Sequence, residues 1–424
     1  MAWHFFTGRP DGLGRTHSGA HLSVMMSPVN SSSAVPPQAR GFVPALDGMR
    51  GLAALGVLVT HVAFQTGEAQ SGAIGRAFGR LDLAVAVFFA LSGFLLWRPH
   101  AAAARGIGRP QATVRYWISR ATRILPAYWV AVTLILLFLP GAGGGYQVWL
   151  ANLGLVQVFV PLTLTEGLTQ MWSLSVEVMF YLLLPLFAVL LVRLRGSSAR
   201  FRIPLLTAVS VLALSWAFLP VPAPDFIHHD NWLPGYLPWF GVGMVLAELA
   251  VGASTWVHRL AHRRLLLTGV ALVAFVLSCT DLAGPEGLVR PEPWQFAVKI
   301  ALGAIISFSL IAPLVLRDEA QHRFLASPFA LAIGRWSYGI FIWHLAVLNA
   351  VFPVFGIAPF SGSFFSVLAL TLVLSVAVAS ASYALVEEPA RLAIKRWENR
   401  RHIGEPATGS AANPVTTNAS NITN

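Results

Sequence analysis

The chain has 424 residues, of which 56% are hydrophobic and only 11% charged, with a mean hydropathy of +0.65. Soluble domains carry roughly a quarter charged residues, so a chain this large with so few charges cannot cover a water-facing surface. The formal charge of +11 does not point to nucleic acid, because the basic residues sit in short clusters between apolar blocks, as in loops that face anionic headgroups. The single cysteine, Cys279, excludes an internal disulfide and a cysteine-based metal cage.

The apolar blocks run to roughly 17–23 residues, enough to carry a helix across a ~30 Å hydrocarbon core. In chain order they predict an all-α polytopic membrane protein with ten spanning helices. These lie at about 50–66, 81–98, 124–140, 172–193, 203–220, 233–251, 265–282, 296–316, 329–351 and 364–386. With the N-terminus inside, 24 of the 29 basic residues fall on inner segments. Arg76, Arg80 and Arg290 lie clearly outside, and Lys299 and Arg335 fall at helix ends. The positive-inside rule therefore predicts that both termini are cytoplasmic, N-in and C-in. Residues 147–162 are apolar but short, and read as an outer re-entrant or interfacial segment; an eleventh span there would invert everything after it. Residues 1–41 read as a disordered extension in which Met25 or Met26 is a candidate start, 42–392 as the transmembrane domain, and 393–424 as a disordered cytoplasmic tail.

A charged side chain near the bilayer centre costs ~2.5–3.5 kcal/mol on insertion scales, so each one needs a reason. The first helix carries Asp47, Arg50 and His61. Eleven steps of ~100° make three turns plus about 20°, so Arg50 and His61 share a face, with Asp47 about 40° away. Along the axis they stand roughly 16 Å apart. A packing role is the plain alternative for His61 alone; the stripe favours a catalytic or pathway role. Arg120 and Arg123 put two guanidinium groups on one face at the cytoplasmic boundary, which suits a phosphorylated ligand or, more simply, an inner anchor. The fourth helix opens on Trp172, and its Ser173 and Glu177 stack at i, i+4. Glu177 falls at a depth near that of His61, so the two are candidates for a pair, with a structural ion-pair role as the alternative. The adjacent His228 and His229, with Asp230, cannot readily face one ion, and no metal site is expected. The ninth helix brings Tyr338 and then His344, read as an interfacial anchor beside Trp343. Glu387 and Glu388 end the tenth as partners for loop arginines.

Six segments in this order resemble the acyltransferase-3 family of integral-membrane O-acyltransferases, over about residues 42–392. They are LDGMRGLAALGVLVTH (46–61), FFALSGFLLWRP (88–99), RATRILPAYW (120–129), WSLSVEVMFYLLLP (172–185), GRWSYGIFIWH (334–344) and SYALVEEPAR (382–391). The resemblance implies residence in the inner or plasma membrane and a cytoplasmic acyl-CoA donor, acetyl-CoA by default, as co-substrate with no bound cofactor. It implies a carbohydrate, glycolipid or glycoside hydroxyl as acceptor. Carried over by position, His61 and Glu177 are the catalytic candidates, with His61 as base or transient acyl carrier. Arg50, Arg120 and Arg123 would bind the donor, and Asp47, Trp172, Ser173, Tyr338 and His344 would support the site. Many members carry an acid two residues before the Phe88-Phe89 pair; here that position is Ala86, and Asp82 is the nearest substitute. The esterase-like domain fused to some members is not expected, so the chain either completes transfer or hands its acyl group to a separate extracytoplasmic partner. A thioester is already activated, so the remaining work is positioning and removal of an alcohol proton. The rival readings are a proton-coupled transporter or flippase, with His61, Glu177 and His344 as a proton path, and a non-catalytic scaffold. The paired arginines and the six ordered segments favour the enzyme.

Overall fold

The computed structural model describes residues 43–403 apart from 111, 288 and 318–321. The expected N-terminal extension, with Met25 and Met26, and the tail beyond Ile403 lie outside those residues. Among the described residues all regular structure is helical. The first half of the chain holds α1 (Pro44–Thr66), α2 (Gly72–Gly79), α3 (Ala84–Ala104), α4 (Thr113–Phe138), α5 (Tyr146–Leu153), α6 (Met171–Leu190) and α7 (Arg202–Ala213). The second holds α8 (Leu233–Val251), α9 (Trp256–Ala261), α10 (Arg264–Ser278), α11 (Pro293–Val315), α12 (Pro328–Phe355), α13 (Phe364–Ser382) and α14 (Glu388–Ile403).

Nine helical stretches among the described residues are long and apolar enough to cross a bilayer. The chain is a polytopic all-α membrane protein, and these nine coincide with nine of the ten expected spans. The tenth, expected at 265–282, is α10 with 15 residues. At roughly 22 Å it falls short of a ~30 Å core, because the helix stops at Cys279 and gives way to a 3₁₀ turn at Asp281–Ala283. The apolar segment expected to be re-entrant overlaps the eight-residue α5, which is followed by turns and irregular backbone up to α6. Irregular backbone in such a segment must be satisfied by protein. Here Tyr128 Oη donates to Asn152 O at 2.6 Å, Asn152 Nδ2 to Thr163 O at 2.8 Å, and Gln157 Nε2 to Met171 O at 3.1 Å.

Several boundaries move from expectation, and the site depends on them. Pro44 starts α1 early, where its missing N–H costs nothing. Likewise α4 begins at Thr113. Arg50, Arg120 and Arg123 therefore sit within helices rather than at their mouths, and Asp47 lies in the first turn of α1. A π-helical turn, Tyr383–Glu387, joins α13 to α14, which runs on to Ile403. The tail expected to be disordered from 393 thus begins as helix.

Packing fixes α1 between two cores. Leu46, Met49, Ala53 and Val57 join the larger core with α3, while Ala54, Leu58 and Val62 pack against Ile333, Ile340 and Leu348 of α12. On the far side α3 lies against α8 with no side chain between them at two points. A Cβ on Gly93 would strike the carbonyl of Phe240, and one on Gly243 the carbonyl of Ala90; such small-residue seams let membrane helices approach closely. The same pair is pinned at one end by Glu248, which is fully buried. It accepts from Trp97 Nε1 at 2.8 Å, Arg105 Nη1 at 2.5 Å and Arg202 Nε at 2.6 Å, tying α3, α7 and α8 together. The three arginines that the charge pattern left outside are all paired. Arg76 lies 3.9 Å from Asp281, Arg80 3.3 Å from Glu286, and Arg290 grips Asp230 at 2.8 and 3.1 Å.

Candidate active site

Helices α1, α3, α4, α6 and α12 enclose a cavity of about 300 Å³. Its charged lining is Arg50 from α1, Arg120 and Arg123 from α4, and Glu177 from α6. Ser173 and Tyr338 line it too, and its apolar wall includes Val85, Phe88 and Phe89 of α3 and Phe341 of α12. Six of the ten site residues named from sequence thus share one chamber. Three cations against one anion make an electropositive chamber in a poorly screened setting, which favours an anionic ligand.

The arginines are held differently. Arg50 Nη1 lies 3.1 Å from Asp47 Oδ1, one turn earlier on the same helix. Arg120 Nη2 reaches Ser119 Oγ at 3.4 Å, but its Nε is buried with no acceptor. Arg123 is exposed. A buried guanidinium N–H without a partner is costly, and a phosphate or carboxylate oxygen would relieve it. Glu177 is already engaged: Ser92 Oγ and, at 2.6 Å, Tyr181 Oη both donate to its Oε1. Neither donor was singled out from sequence, although Ser92 lies in the FFALSGF segment and Tyr181 stands four residues after Glu177 on the same face. Tyr338 Oη donates to Ile124 O at 2.9 Å, which bridges α12 to α4 beside the arginines. Trp172 does not line the chamber; its ring lies 5.1 Å from that of Tyr236 and is tilted to it by 34°.

The two histidines lie behind the wall. Phe341 packs with Phe88 at 6.3 Å between ring centres and with His344 at 6.2 Å. His344 Nε2 then stands 3.3 Å from His61 Nδ1. This corrects the expectation that His344 is an interfacial anchor, since it is fully buried and faces His61. It also corrects the expected His61–Glu177 pair: no hydrogen bond or ion pair joins them. Equal depth does not fix azimuth, and His61 turns toward α12 while Glu177 turns toward α3.

The surrounding carbonyls assign the tautomers. His344 Nδ1 lies 2.8 Å from Phe341 O and 3.1 Å from Ile340 O, so it carries the proton and leaves Nε2 an acceptor. His61 Nδ1 lies 2.7 Å from Val57 O. It therefore donates to that carbonyl and toward His344 Nε2, and its own Nε2 keeps a free lone pair. Ala86, two residues before the Phe pair, is fully buried. Asp82, one turn earlier, is instead ion-paired to Lys299 at 2.5 Å. In the loop before α8, Asp230 is taken by Arg290, and His229 Nδ1 lies 3.6 Å from it.

The family model described as "Acyltransferase domain" matches residues 43–381, which takes in every residue of this chamber and both histidines. The chain belongs to the acyltransferase-3 family. Among curated members of that family it is similar to the peptidoglycan O-acetyltransferase OatA of Listeria monocytogenes, 23% identical over 346 residues, covering 74% of this chain and 51% of the relative. It is 28% identical over 333 residues to the acyltransferase MdmB of Streptomyces mycarofaciens, covering 72% and 79%. It is 25% identical over 380 residues to the O-acetyltransferase OatA of Staphylococcus aureus, covering 82% and 57%. The chain thus spans about half the length of either OatA. No solved structure matches this acyltransferase-3 family member.

Proposed function

We propose that this membrane protein transfers an acyl group, acetyl by default, from acyl-CoA to a hydroxyl of a carbohydrate, glycolipid or glycoside. The observation that carries the reading is one chamber with three arginines at one end and an imidazole pair behind the other. The phosphates of the donor bind Arg50, Arg120 and Arg123. Its pantetheine arm lies along the apolar wall, over the roughly 16 Å that separates Arg50 from His61 on α1. The chemistry then needs little from the protein. The acceptor oxygen attacks the thioester carbonyl while His61 Nε2 removes the hydroxyl proton; the C–S bond then breaks, and CoA leaves as the thiol with that proton returned from His61. If the acyl group first passes to the imidazole, Nε2 is again the nitrogen that bonds, because Nδ1 is held by Val57. Loss of one acyl mass from envelope glycans or glycolipids of a deletion strain, restored by the wild-type gene, is the expected result; unchanged spectra count against the reading.

The names of the OatA relatives support a carbohydrate acceptor, and MdmB supports acyl transfer more broadly. A proton-coupled transporter draws support only for its histidine step, since Glu177 bonds Ser92 and Tyr181. We place the arginine end of the chamber on the cytoplasmic side of the plasma membrane, with both termini inside and α10 counted as a crossing, on the distribution of basic residues. In a Cys279→Ser background, an impermeant maleimide is expected to label Gly143→Cys in intact cells and to miss Ser197→Cys. Gly143 is suited to the test because an added Cβ there meets nothing within 4 Å. Reversed labelling would invert the assignment.

A further inference from the structure

The ion pair between Asp82 and Lys299 plays no part in the donor chamber, yet its placement and its unmet valence point to a ligand. Asp82 lies in the 3₁₀ turn Arg80–Leu83 that leads into α3, and Lys299 lies on α11. Asp82 Oδ2 takes Lys299 Nζ at 2.5 Å, while Oδ1 is buried with no donor. Neither side chain is sealed off, at 34% and 23% exposed. Behind them Arg80, with its side chain fully buried, gives one nitrogen to Gly284 O at 2.6 Å and Glu286 Oε1 at 3.3 Å, and leaves Nε and Nη1 unpartnered. A pair that serves only to staple α3 to α11 has no reason to strand a carboxylate oxygen.

Its position is the second observation. Asp82 sits in the turn that leads into α3, three residues before the chamber residue Val85. It therefore lies beside the start of the chamber's α3 wall, at the end opposite the arginines. The turn that carries it also rests on the His61 end of α1. Thr60 Oγ1 donates to Gly79 O, and a Cβ on Gly56 would sit 3.1 Å from that of Ala84. An aromatic run adjoins it: Trp172 on Tyr236 at 5.1 Å, and Tyr236 on Phe296 at 5.8 Å, with Phe296 one turn before Lys299.

We propose that Asp82 and Lys299 bind the acceptor, and that the acceptor is a polyol ring, held by the hydroxyls next to the one acylated. Asp82 Oδ1 accepts from one hydroxyl, and Lys299 Nζ donates to a neighbour. This assignment rests on the acyl-transfer reading.

The test uses the purified full chain with acetyl-CoA and a panel of p-nitrophenyl β-glycosides. Asp82→Asn is expected to raise the KM for the glycoside about ten- to a hundredfold, the loss of one hydrogen bond to a charged group. The KM for acetyl-CoA should stay within about twofold, since Asp82 lies at the end of the chamber opposite the donor arginines. Lys299→Gln is expected to act in the same direction, and serves if Asp82→Asn misfolds. The exchange variant, Asp82→Lys with Lys299→Asp, rebuilds the ion pair with its donors and acceptors reversed, and is expected to keep the high glycoside KM. A rise in both KM values by one factor, no rise in either, or full rescue by the exchange would make the pair structural and overturn the proposal. Hydrolysis without transfer to any glycoside would overturn the polyol assignment. A wild-type protein that neither hydrolyses acetyl-CoA nor transfers its acetyl group would sink the acyl-transfer reading itself.

Discussion

His61→Ala is expected to lower turnover by about 10²–10⁴, the range for loss of a general base, while the protein still inserts and binds acyl-CoA. The geometry separates these effects. His61 does not line the donor chamber, so its removal leaves the arginine contacts intact. Its Nδ1 is committed to Val57 O at 2.7 Å, and that contact presents Nε2 as the reactive nitrogen. His344 acts one step back: its Nε2 lies 3.3 Å from His61 Nδ1 and fixes the ring rather than meeting the substrate. His344→Ala is therefore expected to reduce kcat less than His61→Ala, with little change in KM for the donor. Steady-state kinetics on detergent-purified protein, with acyl-CoA binding measured in parallel, check both. If His61→Ala kept more than about a tenth of wild-type turnover, its role as base or carrier would be lost. The proton-transfer role would then fall to His344.

Arg120→Ala with Arg123→Ala is the second large effect. Each hydrogen bond to a charged group contributes about 1.5–3 kcal/mol, so losing both guanidinium groups should raise the KM for acyl-CoA on the order of 10²-fold or more. Turnover at saturating donor should fall much less, because neither group reaches the histidines. Replacing both with lysine should recover part of the affinity and not all, since an ammonium keeps the charge and loses the planar fork. The double alanine variant binding donor as the wild type does would remove the chamber's assignment.

Much of this was legible in the sequence because the membrane forces it to be. Apolar blocks and arginine clusters are set by the bilayer, and nine of the ten expected spans are present. The chamber was also largely legible, since Arg50, Arg120, Arg123, Ser173, Glu177 and Tyr338 are charged or polar residues in apolar surroundings, and each such residue demands a partner. What failed was azimuth. Helical periodicity relates residues on one helix, but says nothing of which way two helices turn toward each other. His61 and His344, 283 positions apart, meet through the packing of α1 on α12, and no local pattern reports that. Glu177 was assigned to the wrong partner for the same reason. The shortness of α10 was missed because hydropathy continues past Ser278 while the helix does not.

The glycine seam between α3 and α8 sets how the chamber can change size. Gly93 and Gly243 leave those two backbones in direct contact, and Glu248 locks the same helices to α7. One wall of the chamber is therefore rigid, as a masonry back wall is. The facing helix α6 has no such bracing along its outer side, where Leu182, Leu186 and Leu190 are exposed at i, i+4 and i+8. Packed cores yield where neighbours are few. Under the proposed acyl-CoA reading, breathing that admits and releases the donor is expected on this less braced side, where the surrounding bilayer, through its lateral pressure and chain order, would set how fast the chamber opens.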